Sequence, residues 1–251
     1  MASLELADLT YEEARSAIAE GAVALLPTGA TEAHGPHLPL ATDVVISREA
    51  AKRAARILRD EGRSALVLPP LAYAVTEYAA EFAGTISLPL ETATALVRDV
   101  ILGAVRTGFR GVVIVNAHLE PDNLAALRGG LEAAVAKGAR AVFPDVTRKP
   151  HALRLGEEFK SGACHAGSYE TSLVLAAQPA LVKTERARTL AANPTSLSRA
   201  IKEGKKSFGA AGGPEAYFGF PADASAKEGA ALYRELADVF ATAARELVTG
   251  S

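Results

Sequence analysis

The chain has 251 residues, 49% of them hydrophobic and 22% charged, enough to bury a sizeable core, and the expectation is one globular domain spanning 1–251. A formal net charge of -2, without a basic tract or a run of like charges, gives no electrostatic ground for binding nucleic acid or an anionic membrane. The lone cysteine, Cys164, excludes an intramolecular disulfide and any multi-cysteine zinc site. It suits a reducing compartment. The acidic start of the chain lacks a signal-peptide pattern and no apolar run is long enough to span a bilayer, so the cytoplasm is the expected location.

In chain order, Thr10 and Glu13 form a capping box that opens a short helix to about Glu20. Ala22 to Pro27 is a continuous apolar run, as a buried parallel strand requires. A long polar loop follows, then a helix from about Ser47 to Glu61 that stops near Gly62. Ala65 to Leu71 reads as a second strand. Ala93, Leu96, Val97, Val100, Ile101, Ala104 and Val105 then keep the three-four spacing of one buried helical face, ended by Gly108. Gly111 to Asn116 is the clearest strand. A helix from about Asn123 to Lys137, a strand from Arg140 to Asp145, and a helix from Thr171 to Gln178 stopped by Pro179 come next. Ser225 and Glu228 form a second capping box, before a helix to about Val248. Phe208 to Pro221 is rich in Gly and Pro and reads as a loop, and its stretch Gly209 to Gly213 as an active-site flap or interface loop rather than a phosphate site. Strands alternating with helices predict an α/β fold with a mostly parallel sheet covered on both faces.

Such sheets carry their chemistry in loops beyond the carboxyl ends of the strands. The loop after the first strand holds Glu32, His34, His37 and Asp43 within a dozen residues. Glu32 and His34 are two apart, so in extended backbone they project to one side. Gly35, Pro36 and Pro39 stiffen a path that can return Asp43 toward them. The loop after Asn116 carries His118 and Glu120, also two apart. If the loops converge, three carboxylates and two imidazoles can hold two divalent ions, and oxygen and nitrogen donors suit Zn, Mn, Fe or Co. Taken singly, each motif also reads as a polar surface loop or a hydrogen-bonded histidine; convergence decides between the readings.

The segments LLPTGATEAHGPHLPLATD, EFAGTISLPL, GFRGVVIVNAHLE and HAGSYETS resemble the creatininase (creatinine amidohydrolase) family, in a consistent order over roughly the first 180 residues. The resemblance implies a three-layer α/β/α sandwich, assembled as a homohexamer. It also implies two divalent metal ions, Zn or Mn with Fe as a further candidate. Glu32 and His118 would then ligate one ion, His34 and Glu120 the other, with Asp43 bridging them. His165 is implied as a proton shuttle near the substrate, and Glu170 as a ligand or a residue beside the ligands; from sequence alone Glu170 also reads as a helix-start carboxylate. Glu120 is taken as both ligand and catalytic residue.

The reaction implied is hydrolysis of a non-peptide C–N bond in a small molecule, such as a cyclic amide or formamide, by a metal-bridging hydroxide. Two departures separate this chain from creatinine itself. The creatinine-hydrolysing members line their pocket with tryptophan, and this chain has none. Its second motif reads HLEP, without the following Asn of creatininase or the HGGN of other relatives. Formamide hydrolysis and trimming of a small modified peptide both stay open, as does a non-catalytic or regulatory protein that keeps the fold. A Cys164–His165 nucleophile is a further alternative, weakened because adjacent side chains rarely aim at each other. His37 is expected to orient a loop or ligand by hydrogen bonding and His151 to sit at a surface helix start, while Glu77, Tyr78 and Glu81 read as surface residues in a loop that the resemblance implies lies near the site or at a subunit contact.

Overall fold

The computed structural model describes residues 3–163 and 165–249; the sequence reading of Cys164 falls outside them. The elements run, in chain order, α1 (Tyr11–Ala19), β1 (Val23–Thr28), α2 (Thr42–Asp60), β2 (Ala65–Val67), α3 (Leu90–Arg106), β3 (Val112–Asn116), α4 (Pro121–Val135) and β4 (Ala141–Val142). Then follow α5 (Gly156–Ser161), α6 (Ser168–Ala177), α7 (Thr184–Thr189), α8 (Leu197–Lys202) and α9 (Ala226–Thr249). The four strands form one parallel sheet in the order β2-β1-β3-β4.

Helices cover both faces, and strand alternation assigns the sides. Val23 and Leu25 of β1, Val67 of β2, and Val113 and Val115 of β3 pack with Val45, Leu173, Leu236 and Phe240 from α2, α6 and α9. Ala24, Leu26, Leu66, Val112 and Ile114 point the other way, onto Val97, Ile101, Leu127 and Ala134 of α3 and α4. Each central strand is therefore apolar on both faces, which is why β1 and β3 appear in the sequence as unbroken hydrophobic runs. The expected α/β/α sandwich is the one observed.

Local chemistry moved several boundaries. Helix α2 starts at Thr42 rather than near Ser47, because the Pro39 carbonyl accepts both the Thr42 N–H (3.1 Å) and the Thr42 hydroxyl (2.7 Å) and closes the first turn early. Strand β2 ends at Val67, short of Leu71, since Pro69 and Pro70 have no N–H to give a ladder. Pairing resumes only as an isolated bridge between Thr28 and Leu71. The Arg140–Asp145 segment keeps only two strand residues, Ala141 and Val142. Helix α6 begins at Ser168, three residues ahead of Thr171. The Thr10–Glu13 capping box is complete. At Ser225 only half of one forms: the Glu228 N–H reaches the Ser225 hydroxyl (3.2 Å), while the Glu228 carboxylate accepts the Ser172 hydroxyl (2.7 Å) and so ties α9 to α6.

Candidate metal centre

Register brings the two sequence clusters together. Thr28 and Asn116 are paired neighbours at the carboxyl ends of β1 and β3, and the Thr28 hydroxyl donates to Asn116 Oδ1 at 3.0 Å. The loop to Glu32 and the loop to His118 thus leave the sheet side by side. The first loop is closed by the Glu32 N–H on the Leu40 carbonyl (3.0 Å), which returns the chain so that Asp43 falls in the first turn of α2. Gly29 permits the approach: a Cβ there would stand 2.7 Å from Asp43 Cβ and 2.8 Å from the Asp43 carbonyl carbon.

Each imidazole is oriented by one ring nitrogen and presents the other. His118 Nε2 lies 2.8 Å from the Val75 carbonyl, which can only accept, so Nε2 carries the proton and Nδ1 faces the carboxylates. That Nδ1 is 3.2 Å from Glu32 Oε1 and 3.2 Å from Asp43 Oδ2. His34 donates from Nδ1 to the Glu32 carbonyl (3.2 Å) and turns Nε2 inward, 3.3 Å from Asp43 Oδ1 and 3.6 Å from Glu170 Oε2. Asp43 therefore stands between the two histidines, one oxygen toward each. The His118 loop is clamped by Asn116 and Asn123, whose amides donate to the His118 carbonyl at 2.7 and 2.9 Å.

The remaining members are equally fixed. The Thr76 hydroxyl donates to Glu32 Oε2 in a short hydrogen bond. Glu120 accepts the N–H groups of Glu77 (3.0 Å) and Tyr78 (3.3 Å). Glu170, in the first turn of α6, accepts the Ala166 N–H at 2.6 Å. His165 donates from Nε2 to the Ala33 carbonyl (3.0 Å) and leaves Nδ1 3.8 Å from Glu32 Oε1, its ring between His34 and Phe208 with centroids 4.4 and 4.2 Å away. Donor atoms cluster within 4.8 Å in three groups: Glu32 with His118 and Glu120, His34 with Asp43 and Glu170, and Glu32 with His34 and His165. Glu120 thus sits with Glu32 and His118, and Glu170 takes the place beside His34 that the resemblance gave to Glu120.

Burial sets the electrostatics. All of these side chains are buried. Burial alone would push His34 down, yet Asp43 and Glu170 raise it to about 10. His118 is likewise held well above the usual imidazole value by Glu32 and Asp43 against its burial. Burial lifts Glu120 to about 7 and Glu170 to about 8, and lowers His165 to about 4 with the help of the His34 charge. Four carboxylates packed around three imidazoles form a donor set of the kind that holds divalent cations. His34 Nε2, buried and without a hydrogen-bond partner among the described residues, is aimed into it.

Above the cluster lies a cavity of about 510 Å³, with Glu32, Asp43, His118, Glu120, His165 and Glu170 in its lining. The Phe208–Pro221 loop caps it: the Phe208 N–H donates to the Tyr78 carbonyl (2.9 Å), the Gly209 N–H to Glu81 (2.7 Å), and Phe208 enters the lining. Tyr78 also lines the cavity, while Glu77 is exposed and contributes through its N–H. His37 joins the first loop to α6 through Thr171 Oγ1 (2.9 Å). His151 is half-buried in a short 3₁₀ turn away from the cluster. Sequence reasoning missed Thr76, Asn116 and Asn123. Thr76 carries no local signal, since it lies 44 residues from the Glu32 it supports.

A family model described as creatinine amidohydrolase matches residues 7–244. The chain is 33% identical over 220 residues to the mycofactocin precursor peptide peptidase of Mycobacterium ulcerans (strain Agy99), covering 85% of this chain and 81% of that one. It is 31% identical over 207 residues to the creatinine amidohydrolase of Pseudomonas putida, covering 73% and 75%. Among solved structures, a creatinine amidohydrolase (creatininase) superposes with a TM-score of 0.82 at 27% identity, over 100% of both chains. A structure described as creatininase Mn (26% identity) and a creatininase of Zn-Zn type (25%) each give a TM-score of 0.76, over 99% of this chain and 100% of the other. The chain belongs to the creatininase family. Among the described residues, no helix is long and apolar enough to cross a membrane.

Proposed function

We propose that this protein is a binuclear metal-dependent amidohydrolase that cleaves an amide C–N bond. The observation that carries the reading is the placement of Asp43, with Oδ1 3.3 Å from His34 Nε2 and Oδ2 3.2 Å from His118 Nδ1. A carboxylate so divided suits a bridge between two ions. Glu32, His118 and Glu120 would hold one and His34 and Glu170 the other. Zn and Mn are the leading candidates, supported by the Zn and Mn forms of related structures, and Fe is compatible with the same donors. Bound there, the pair would supply Lewis acidity, lowering the pKa of water from about 15.7 toward about 7 and polarising the scissile carbonyl.

The protein's own groups handle the proton. Glu120, held by the N–H groups of Glu77 and Tyr78, would keep its ionised carboxylate fixed beside the reacting amide. His165 is neutral near neutral pH, and because its Nε2–H is committed to Ala33 its free nitrogen is Nδ1, turned toward Glu32. It therefore acts first as an acceptor, then returns the proton to the leaving nitrogen.

Cyclic amides and formamides are one substrate class for such a site. Trimming of a short peptide is a second, favoured by a cavity of about 510 Å³ and by the relative named as a peptide peptidase. By family resemblance the whole chain acts as one domain in a homohexamer, and the composition suits the cytoplasm. The test is Asp43→Ala, read by metal content and by hydrolysis of a panel of cyclic amides, formamides and short peptides. The reading predicts loss of both ions and of turnover. Two ions per chain with full activity would overturn it.

A further inference from the structure

We infer that Lys160 and Lys202 bind a carboxylate at the far end of the substrate, so that the amide cleaved is carried on an apolar body ending in an anion. The inference rests on the amidohydrolase reading and names the substrate class of the same cavity. At about 510 Å³ the cavity falls among pockets that enclose a ligand with a body and two functional ends, and one small ring would leave most of it empty.

Charge in the lining is segregated. Every carboxylate there, Glu32, Asp43, Glu120 and Glu170, belongs to the metal cluster, and among the described residues Lys160 and Lys202 are its only lysine or arginine side chains. They come from α5 and from the last residue of α8, elements that give no ligand to the cluster. Each follows an apolar lining residue, Phe159 and Ile201, and Leu197 presents the preceding turn of α8 to the same space. With two divalent ions offsetting four carboxylates, the floor is close to neutral. The two lysines then set the field in the cavity, and that field attracts an anion and repels a cation.

Both ammonium groups are available to a ligand. Lys160 gives one hydrogen bond to Glu157 (2.7 Å), whose side chain is 91% exposed, and keeps two donors. Lys202 is exposed at the end of α8 and has no ion-pair partner among the described residues.

The probes are phenylbutyrate and its neutral counterpart phenylbutanol, which share an apolar body and which the enzyme cannot hydrolyse. Binding is measured by calorimetry on the zinc-loaded full chain, wild type and the double variant Lys160→Met with Lys202→Met. The acid should bind the wild type about tenfold more tightly than the alcohol, as charge-assisted hydrogen bonds imply. In the double variant that advantage should fall to within about twofold, with zinc content and melting temperature unchanged. Equal binding of the two probes, no binding of the acid, or an advantage that survives in the double variant would each overturn the inference. In the last case the carboxylate is held at the ions. Zinc content of Asp43→Ala tests the amidohydrolase reading separately, because it does not depend on the lysines.

Discussion

Loading the acidic cluster with zinc at pH 7 should release about three to four protons per chain, because the ions displace protons that the metal-free site retains. In the metal-free protein His34 keeps its proton up to about pH 10 and His118 well above the usual imidazole value, since the surrounding carboxylates outweigh burial in both cases. Burial raises Glu170 to about 8 and Glu120 to about 7. Asp43 and Glu32 resist the same burial because the two histidine charges hold them below the usual carboxylate range. At pH 7 both imidazoles and Glu170 are therefore protonated, Glu120 about half so, and Asp43 and Glu32 ionised. Coordination needs imidazole lone pairs and ionised carboxylates, so those protons leave. Calorimetric titration of zinc in buffers of different ionisation enthalpy gives the number directly. The product of the two binding constants should also fall by about a thousand- to ten-thousandfold per pH unit just below neutrality. Stability of the metal-free chain should run the other way. The raised groups bind protons more tightly folded than unfolded, so their contribution is full at low pH. It declines from about pH 4.5 as pH rises through the folded values of Glu120, Glu170 and His34. Release of fewer than one proton per chain would refute both the protonation pattern and the assignment of His34 and His118 as ligands.

Three further outcomes follow from the supports of the site. Thr76→Val removes the hydroxyl on Glu32 Oε2 and should weaken metal binding by about 10–100-fold, measured by competition with a chelator; unchanged affinity would deny Thr76 that role. Glu158→Ala strips the acceptor from the N–H groups of Ser168 (2.9 Å), Tyr169 (2.7 Å) and Phe220 (2.7 Å). Urea unfolding should show a loss of about 3 kcal/mol, and a loss under about 1 kcal/mol would mean that water replaces the carboxylate. Gly229→Ala places a methyl 1.8 Å from the Ser172 carbonyl where α9 crosses α6. Overpacking of about 3 kcal/mol, less about 1 kcal/mol gained in helix propensity, leaves a net loss of about 2 kcal/mol; a stabilised variant would mean that the helices part freely.

How much of this the sequence discloses depends on how local each cause is. β1 and β3 are legible because both faces of each are buried, which writes an unbroken apolar run. Glu32, His34, His118 and Glu120 are legible because spacing by two at the end of a strand is a local pattern. Asp43 was singled out but placed in the loop, since the turn that starts α2 early depends on the Pro39 carbonyl and not on a capping residue. Helices α5, α7 and α8 are six residues each, too short to show a hydrophobic period, so the sequence between β4 and Phe208 yielded little beyond α6. Thr76 was invisible because Glu32 becomes its neighbour only in the folded chain, and the Asn116–Asn123 clamp, though local, leaves no periodic pattern in the sequence.

That division bears on function. The floor of the cavity is built from loops beside the carboxyl ends of β1 and β3 and from the first turns of α2 and α6, where backbone hydrogen bonds and close approaches such as Gly29 on Asp43 leave little freedom. Its walls come largely from short helices and from the Phe208 loop, which supply none of the clustered donor atoms. A fold arranged this way keeps one hydrolytic chemistry while exchanging the molecule it acts on. The family accordingly contains relatives named for creatinine and for a precursor peptide. In this chain the walls hold no tryptophan and two lysines. On the reading proposed above, the substrate is to be sought among amides that also fit Lys160, Lys202 and the apolar surface beside them.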